Sequence, residues 1–480
     1  MWRIQGKVHA SWIIALASIC FVAGVALALV VRVPFWLVVV STIFFAGGFV
    51  IRHVWIIPLT GIAALLIGIG YGSAHYTERS TYSRWFGRTV EVSGRIKEDP
   101  SKSSSGSLSL QLDTVSVDAA SQAGSIFASV RGFNDVKRGD IITGTAMVRE
   151  GFANFPAKAS FIKVKAVTRA EYGDVGRVVR DWFADKVRML IPEPQASLGI
   201  GFLTGQKSAL PEELSESLKI AGLTHIVVAS GYNLTILVRM ARKLLLKVSK
   251  YLSLVSSSLM VVSFMAITGL SPSMTRAGLV SGMSLLSWYY GHVFHPFILL
   301  PLAAAITVAL QPSYVWGDLG WQLSFSAFAG VMIVGPLLQA YFFGNKEPGV
   351  FRQILGETIA AHIVTVPVIA LSFGTMSNVA IIANILVVPL VPLAMLLTFI
   401  CGMGAIFTLP FIECVALPTT WLLGYMTSVA SFVSELSWAQ TQLDVAPLLW
   451  AGYVAVLGAG CWWMWRKTHY DFRSGEALLC

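Results

Sequence analysis

GIGFLTGQKSALPEELSESLKIAGLTHIVVASGYNLTILV, residues 199–238, is a polar loop that dissolves into an apolar run. Within it His225, Ser230, Gly231, Tyr232 and Asn233 sit among Ile, Val and Leu. Unpaired polar groups in hydrocarbon cost several kcal/mol each, so these side chains must face a cavity or a neighbouring helix rather than lipid. Composition sets the stretch at membrane depth. Of 480 residues 55% are hydrophobic and 12% charged, with mean hydropathy +0.70, whereas an ordinary soluble domain carries roughly 25% charged residues. The chain therefore reads as a polytopic α-helical membrane protein. Its net charge of +10, from 35 basic and 25 acidic residues, fits both a positive-inside bias and an anionic ligand. The five cysteines form no C-x-x-C pair or disulfide framework and read as packing residues.

Downstream of the stretch, Arg239, Arg242, Lys243, Lys247 and Lys250 form a basic cluster that the charge rule places in the cytoplasm. Apolar runs follow closely at 251–270, 274–290, 294–310, 319–343, 354–372, 378–407, 413–435 and 448–465. The run 378–407 is too long for one straight helix, and Pro389, Pro392, Gly402 and Gly404 predict that it breaks or re-enters. Upstream, three more runs cover 12–31, 34–51 and 54–71. The first continues into further spans and so is not a signal peptide. Threading all of them gives about 12 spans of the roughly 20 residues each that cross hydrocarbon, with both termini cytoplasmic in a cell membrane.

Between the two sets of spans the pattern changes. Residues 90–96, 108–117, 126–130 and 141–148 alternate with period two between Gly- and Ser-rich turns, and about five strands in this space suit a small barrel of oligonucleotide-binding (OB) type, placed outside the membrane. Arg138–Asp140, an RGD tripeptide, reads as a turn. Residues 77–170 hold 14 Lys or Arg against 9 Asp or Glu, a net of +5. Arg95, Lys97, Arg131, Lys137 and Arg138, with Phe127, Phe133, Phe152 and Phe155 interleaved, fit single-stranded nucleic acid held by stacking and backbone attraction. A solvated module with its Phe residues in the core fits equally well. Residues 172–191 predict an amphipathic helix, either lying in the membrane interface or packed beneath the barrel. The expected domains are membrane helices 1–76, the β module 77–170, an amphipathic linker 171–198, a second helical membrane domain 199–466 and a tail 467–480.

The loop at 201–208 lacks the phosphate-loop pattern, because Gln206 stands between Gly205 and Lys207 and no soluble strand precedes it. Polar residues inside the apolar runs are the site candidates. Arg276 either faces a polar cavity or snorkels from its helix end. Gly278 and Gly282 form a small-x-x-x-small packing face. Gln322, Ser324, Ser326, Glu357, His362, Asn378 and Asn384 could each bond a neighbouring helix, and together with His225, Ser230 and Asn233 they outline a polar path. Ser230 and His225 without an evident acid make a weak hydrolytic pair. His292 and His295 lack a third ligand, so no metal is expected, and nothing calls for a cofactor.

Four ordered blocks carry a family resemblance: GLTHIVVASGYN (222–233), SPSMTRAGLVSGMSLLSWYYGH (271–292), GDLGWQLSFSAFAG (317–330) and FGTMSNVAIIANILVVPLVP (373–392). They resemble the ComEC competence proteins, and the N-terminal spans with a β module match that family's usual preface. The resemblance implies an inner-membrane channel for incoming single-stranded DNA, with Gln206 and Lys207 in an entrance loop. It also implies a DNA receptor outside and an ATP-driven motor in the cytoplasm as partners beside the membrane lipids. Where relatives carry His and an acid, this chain has Asn233 and Gln206. The eight histidines include no H-x-H-x-D-H nuclease cluster, so the chain is expected to be no enzyme, with any strand degradation left to a separate nuclease. A secondary transporter or lipid-handling protein on the same scaffold, using Arg276 and Glu357, is the alternative.

Overall fold

A computed structural model of the chain describes residues 10–51, 57–102, 106–132, 136–152, 154–169, 174–206, 210–227, 231–269, 271–291, 295–344, 349–407, 412–443 and 447–472. Their contacts divide the chain into two units, Met1–Asp174 with Gly291–Trp321, and Val175–Tyr290 with Gln322–Cys480. This grouping differs from the linear division expected, because the Pro296–Leu310 helix packs with the N-terminal helices.

In the first unit, helices Ala10–Leu27, Phe35–Ile51 and Ile57–Arg79 are apolar nearly throughout. The first and third pack backbone to backbone. A Cβ on Gly24 would lie 2.1 Å from Leu65 O, and one on Gly68 2.3 Å from Phe21 O, the close approach that small residues permit between membrane helices. The Trp316 indole donates to Val25 O at 2.8 Å and the Tyr71 hydroxyl to Ala309 O at 2.6 Å, joining Gly291–Trp321 to these helices.

The β module of the same unit is a closed five-stranded barrel. Its strands are β1 Thr89–Ile96, β2 Leu108–Val117, β3 Ile126–Val130, β4 Ile141–Glu150 and β5 Ala157–Thr168. β1 pairs with β2 and β4, β2 with β3, β4 with β5, and β3 closes the ring by a parallel pairing with β5. Burial alternates as the period-two pattern predicts. Val92, Leu110, Leu112, Val115, Ile126, Ala128, Ile142 and Ala146 point inward at 0–1% exposure, each strand thereby turning one face to the core and one outward. Arg138–Asp140 is a turn, with Gly139 at φ +93° and Asp140 Oδ2 accepting from Lys137 N at 3.0 Å.

Among the described residues five helical runs are long and apolar enough to cross a membrane: Ile57–His75, Lys250–Thr268, Leu319–Phe343, Phe351–Phe373 and Ala380–Ile406. Shorter apolar helices cover Ser11–Leu27, Trp36–Ala46 and Pro296–Leu310. The 380–406 run breaks where its prolines predict, a 3₁₀ turn at Val388–Leu390 separating helices Ala380–Val387 and Val391–Ile406. Proline removes a helical N–H and clashes with the preceding turn, which is why the axis shifts there.

In the second unit, the amphipathic helix spans Val175–Arg188. Val187 is buried and Phe183 stacks on Phe399 of the Val391–Ile406 helix at 6.3 Å. Val175, Val178, Val179 and Trp182 stay 45–73% exposed. The apolar periodicity thus splits into a side packed on its own unit and a bare apolar stripe.

Candidate functional site

The organising stretch folds as a chain of short helices: Gln195–Thr204, Glu212–Ile220, Thr224–Val227 and Gly231–Leu245. Each end leaves backbone carbonyls without intrahelical donors, and around the buried Phe202 and Ile226 water does not serve them. Asn233 does. Its side-chain amide donates to Phe202 O at 3.0 Å and to Ile226 O at 2.9 Å, and the residue is 0% exposed. Asn233, expected on a polar path, spends its amide on tying two helices together. His225 keeps an exposed ring beside the buried Ile226 and Val227, its Nδ1 3.0 Å from Gly222 O. Gln206 follows the left-handed Gly205 (φ +68°), with its Oε1 sealed and unpartnered. Lys207 and Ser230 lie outside the described residues.

Arg276 occupies the first turns of the helix Pro272–Tyr290 and is 8% exposed. At that exposure the side chain packs among its neighbours, with only a small part of its surface reachable. Its Nε donates to Ser324 Oγ at 2.8 Å, and Ser324 Oγ lies 3.2 Å from Ser273 Oγ. The guanidinium sits 5.8 Å from the Phe325 ring centre and 5.4 Å from that of Phe328. No carboxylate among the described residues forms an ion pair with it. Two ring contacts worth about 2 kcal/mol each when desolvated do not offset the cost of burying a cation, several kcal/mol per ion.

Gly231 is the residue whose role the sequence hid. A Cβ there would stand 2.8 Å from Arg276 Nη2 and 3.1 Å from Ala277 Cβ, so only glycine leaves the guanidinium edge clear. Three of the four sequence blocks therefore meet at one cation. Ser324 and Phe328, four residues apart on one helical face, are the signal that could have found its surroundings. Gly278 packs against Met265, where a Cβ would lie 2.2 Å from its sulfur, while Gly282 has nothing within 4 Å. Only half of the expected small-residue face is used.

The other candidates separate by what holds them. Glu357 accepts from Gln353 Nε2 at 2.8 Å and lies within electrostatic reach of Tyr232. Asn378 donates to Trp438 O at 2.8 Å and Thr441 Oγ1 at 2.7 Å, clamping the two-stranded ribbon of Thr375–Ser377 and Gln440–Gln442. Its amide is spent on the fold. Asn384 is 7% exposed with Oδ1 sealed and unpartnered. Gln322 is half-buried one turn before Phe325.

On the barrel of the first unit, Arg95, Arg131 and Lys137 are exposed. Arg138, expected beside them, is 4% exposed and paired through Nε with Asp174, because the tight turn at Gly139 aims it inward. Phe127 of β3 meets Phe152 and Phe155 of the β4–β5 loop at 5.1 and 5.8 Å between ring centres. Lys158 Nζ lies 5.8 Å from the Phe127 ring. Phe152 is 49% exposed and Phe155 9%, so the triad is an aromatic surface anchored in the core. Phe133 lies outside the described residues.

Lys97 is drawn to Asp318, which accepts from Trp321 N at 2.7 Å and Asn154 Nδ2 at 3.1 Å. Burial raises the Asp318 carboxyl above the ordinary range, with the Trp321 N–H and Lys97 opposing. A raised carboxyl favours the folded state when protonated, and that contribution is lost as pH rises past the unfolded value and through the folded one. Asp318→Asn is therefore expected to flatten the pH dependence of the melting midpoint. The variant and the native chain should differ more at pH 7 than at about pH 4, near the unfolded aspartate value.

No curated protein and no solved structure matches the chain. The family model described as Competence protein matches residues 202–468, a segment that holds the short helices, Gly231, Asn233, Arg276 and Ser324 and exceeds half of the 480 residues. The chain belongs to the Competence protein family.

Proposed function

We propose that this protein is the channel through which single-stranded DNA crosses the cytoplasmic membrane during natural transformation. The observation that carries the reading is the Phe127–Phe152–Phe155 surface with Lys158, on a barrel attached to membrane helices, in a chain of the Competence protein family. The strand order of the barrel fits the OB type, whose nucleic-acid surface uses its second and third strands and the loop before the last. Phe127 and the β4–β5 loop occupy those positions. In this reading the chain crosses the membrane about 12 times, both termini are cytoplasmic and the barrel is outside, where it collects a strand by stacking and backbone attraction. The strand then passes a polar path that includes His225, Arg276 and Gln322.

The chain acts without chemistry of its own. A receptor outside supplies DNA, a cytoplasmic ATP-driven motor supplies force, and a separate nuclease removes the other strand. Deleting the gene tests this, with transformation scored apart from DNA capture at the cell surface. Capture should persist while transformation is lost. A deletion strain that transforms normally sinks the proposal.

A further inference from the structure

We infer that Arg276 is a phosphodiester-binding point in the helical unit, a guanidinium held open for one anionic group at a time. The inference rests on the uptake reading for its biological role, but its chemistry stands on the site itself. Enclosed arginines are ordinarily neutralised by a carboxylate, and among the described residues Arg276 has none. Among the described residues its one hydrogen bond runs from Nε to Ser324, whose Oγ lies within hydrogen-bond distance of Ser273 Oγ. Phe325 and Phe328 fix the plane of the group. Among the described residues neither Nη1 nor Nη2 meets an acceptor.

Two parallel N–H groups on such an edge match two oxygens of a phosphodiester, which a lysine cannot do. Gly231 keeps the space at Nη2 empty. A carboxylate at this point would have closed the site. Its absence makes the cation available to a group that arrives and leaves.

Phosphodiesters reach this point from a DNA strand or from a phospholipid headgroup. The purified full chain in maltoside micelles is treated with a small arginine-specific dicarbonyl, and modification of Arg276 is followed by mass spectrometry. Oligothymidylate should slow the modification about tenfold, the margin of one charge-assisted contact, while the uncharged peptide nucleic acid of the same bases should not. Protection by phosphatidylglycerol without protection by oligothymidylate supports the site and assigns it to lipid. Equal protection by the uncharged analogue, protection by neither phosphate, or an Arg276 inert to the reagent without ligand overturns the inference.

In cells, Arg276→Lys should lower transformation about tenfold and Arg276→Gln by more, with surface capture intact. Gly231→Ala keeps the cation and should lower both transformation and protection, which separates blockage from misfolding. Wild-type transformation by all three variants overturns the inference for a strand while leaving the uptake reading, which the deletion tests separately.

Discussion

Asn233→Leu is expected to destabilise the helical unit by about 2–6 kcal/mol, at about 1–3 kcal/mol for each buried carbonyl left without a donor. Leucine shares asparagine's branched skeleton, but its methyls are bulkier than the amide, so some overpacking at the 0% exposed site adds to the loss. What disappears is the pair of N–H donors to Phe202 O and Ile226 O. Both carbonyls belong to short helices, and a short helix has few bonds of its own to hold it. Asn233→His replaces one donor when the ring is neutral and should cost about half as much. Asn233→Asp offers no donor when ionised and places negative oxygens against carbonyl oxygens, so it should be the worst of the three. Melting midpoints of the purified chain in detergent give the test. The expected order is native, His, Leu, Asp, and a Leu variant that melts with the native chain would show that the amide does not hold the helix ends.

This also explains why part of the site was legible in the sequence and part was not. Membrane class, the five strands and the proline break at 388–390 follow from periodicity and backbone chemistry, which are local properties. Sequence marks the polar residues of the organising stretch as needing partners, but it does not say which partner. Asn233 and Asn378 spend their amides on backbone carbonyls, one 31 and the other 60 residues away. Arg138 finds Asp174 36 residues on and turns inward. Arg276 goes the other way, and its isolation could not be foreseen, since it depends on the register of three helices and on one glycine. Polar residues at membrane depth are therefore ambiguous until their hydrogen bonds are counted. Asn233 and Asn378 spend their donors on the fold, whereas Arg276 has, among the described residues, donors to spare.

Phe152→Ala is expected to weaken binding of oligothymidylate to the full chain roughly ten- to hundredfold, the margin of one lost base stack at about 1–3 kcal/mol. Phe152 is 49% exposed and contributes little to the core, so the melting midpoint should barely move. Phe155, at 9%, is part of that core and would confuse the two effects. Phe155→Leu keeps its volume and removes only the ring. Lys158→Gln provides the contrast, because its charge lies over Phe127 without being the stacking surface. Losing one phosphate contact should lower the slope of log affinity against log salt by about 0.7, whereas Phe152→Ala should leave that slope unchanged. Fluorescence anisotropy of a labelled oligonucleotide over a salt series measures both quantities. If Phe152→Ala binds like the native chain at every salt concentration, the triad is core that happens to be exposed, and the barrel attracts DNA through Arg95, Arg131 and Lys137 alone. If instead the affinity falls and the slope holds, base stacking is separated from charge, and the aromatic surface is what distinguishes a single strand, whose bases are open, from a duplex, whose bases are not.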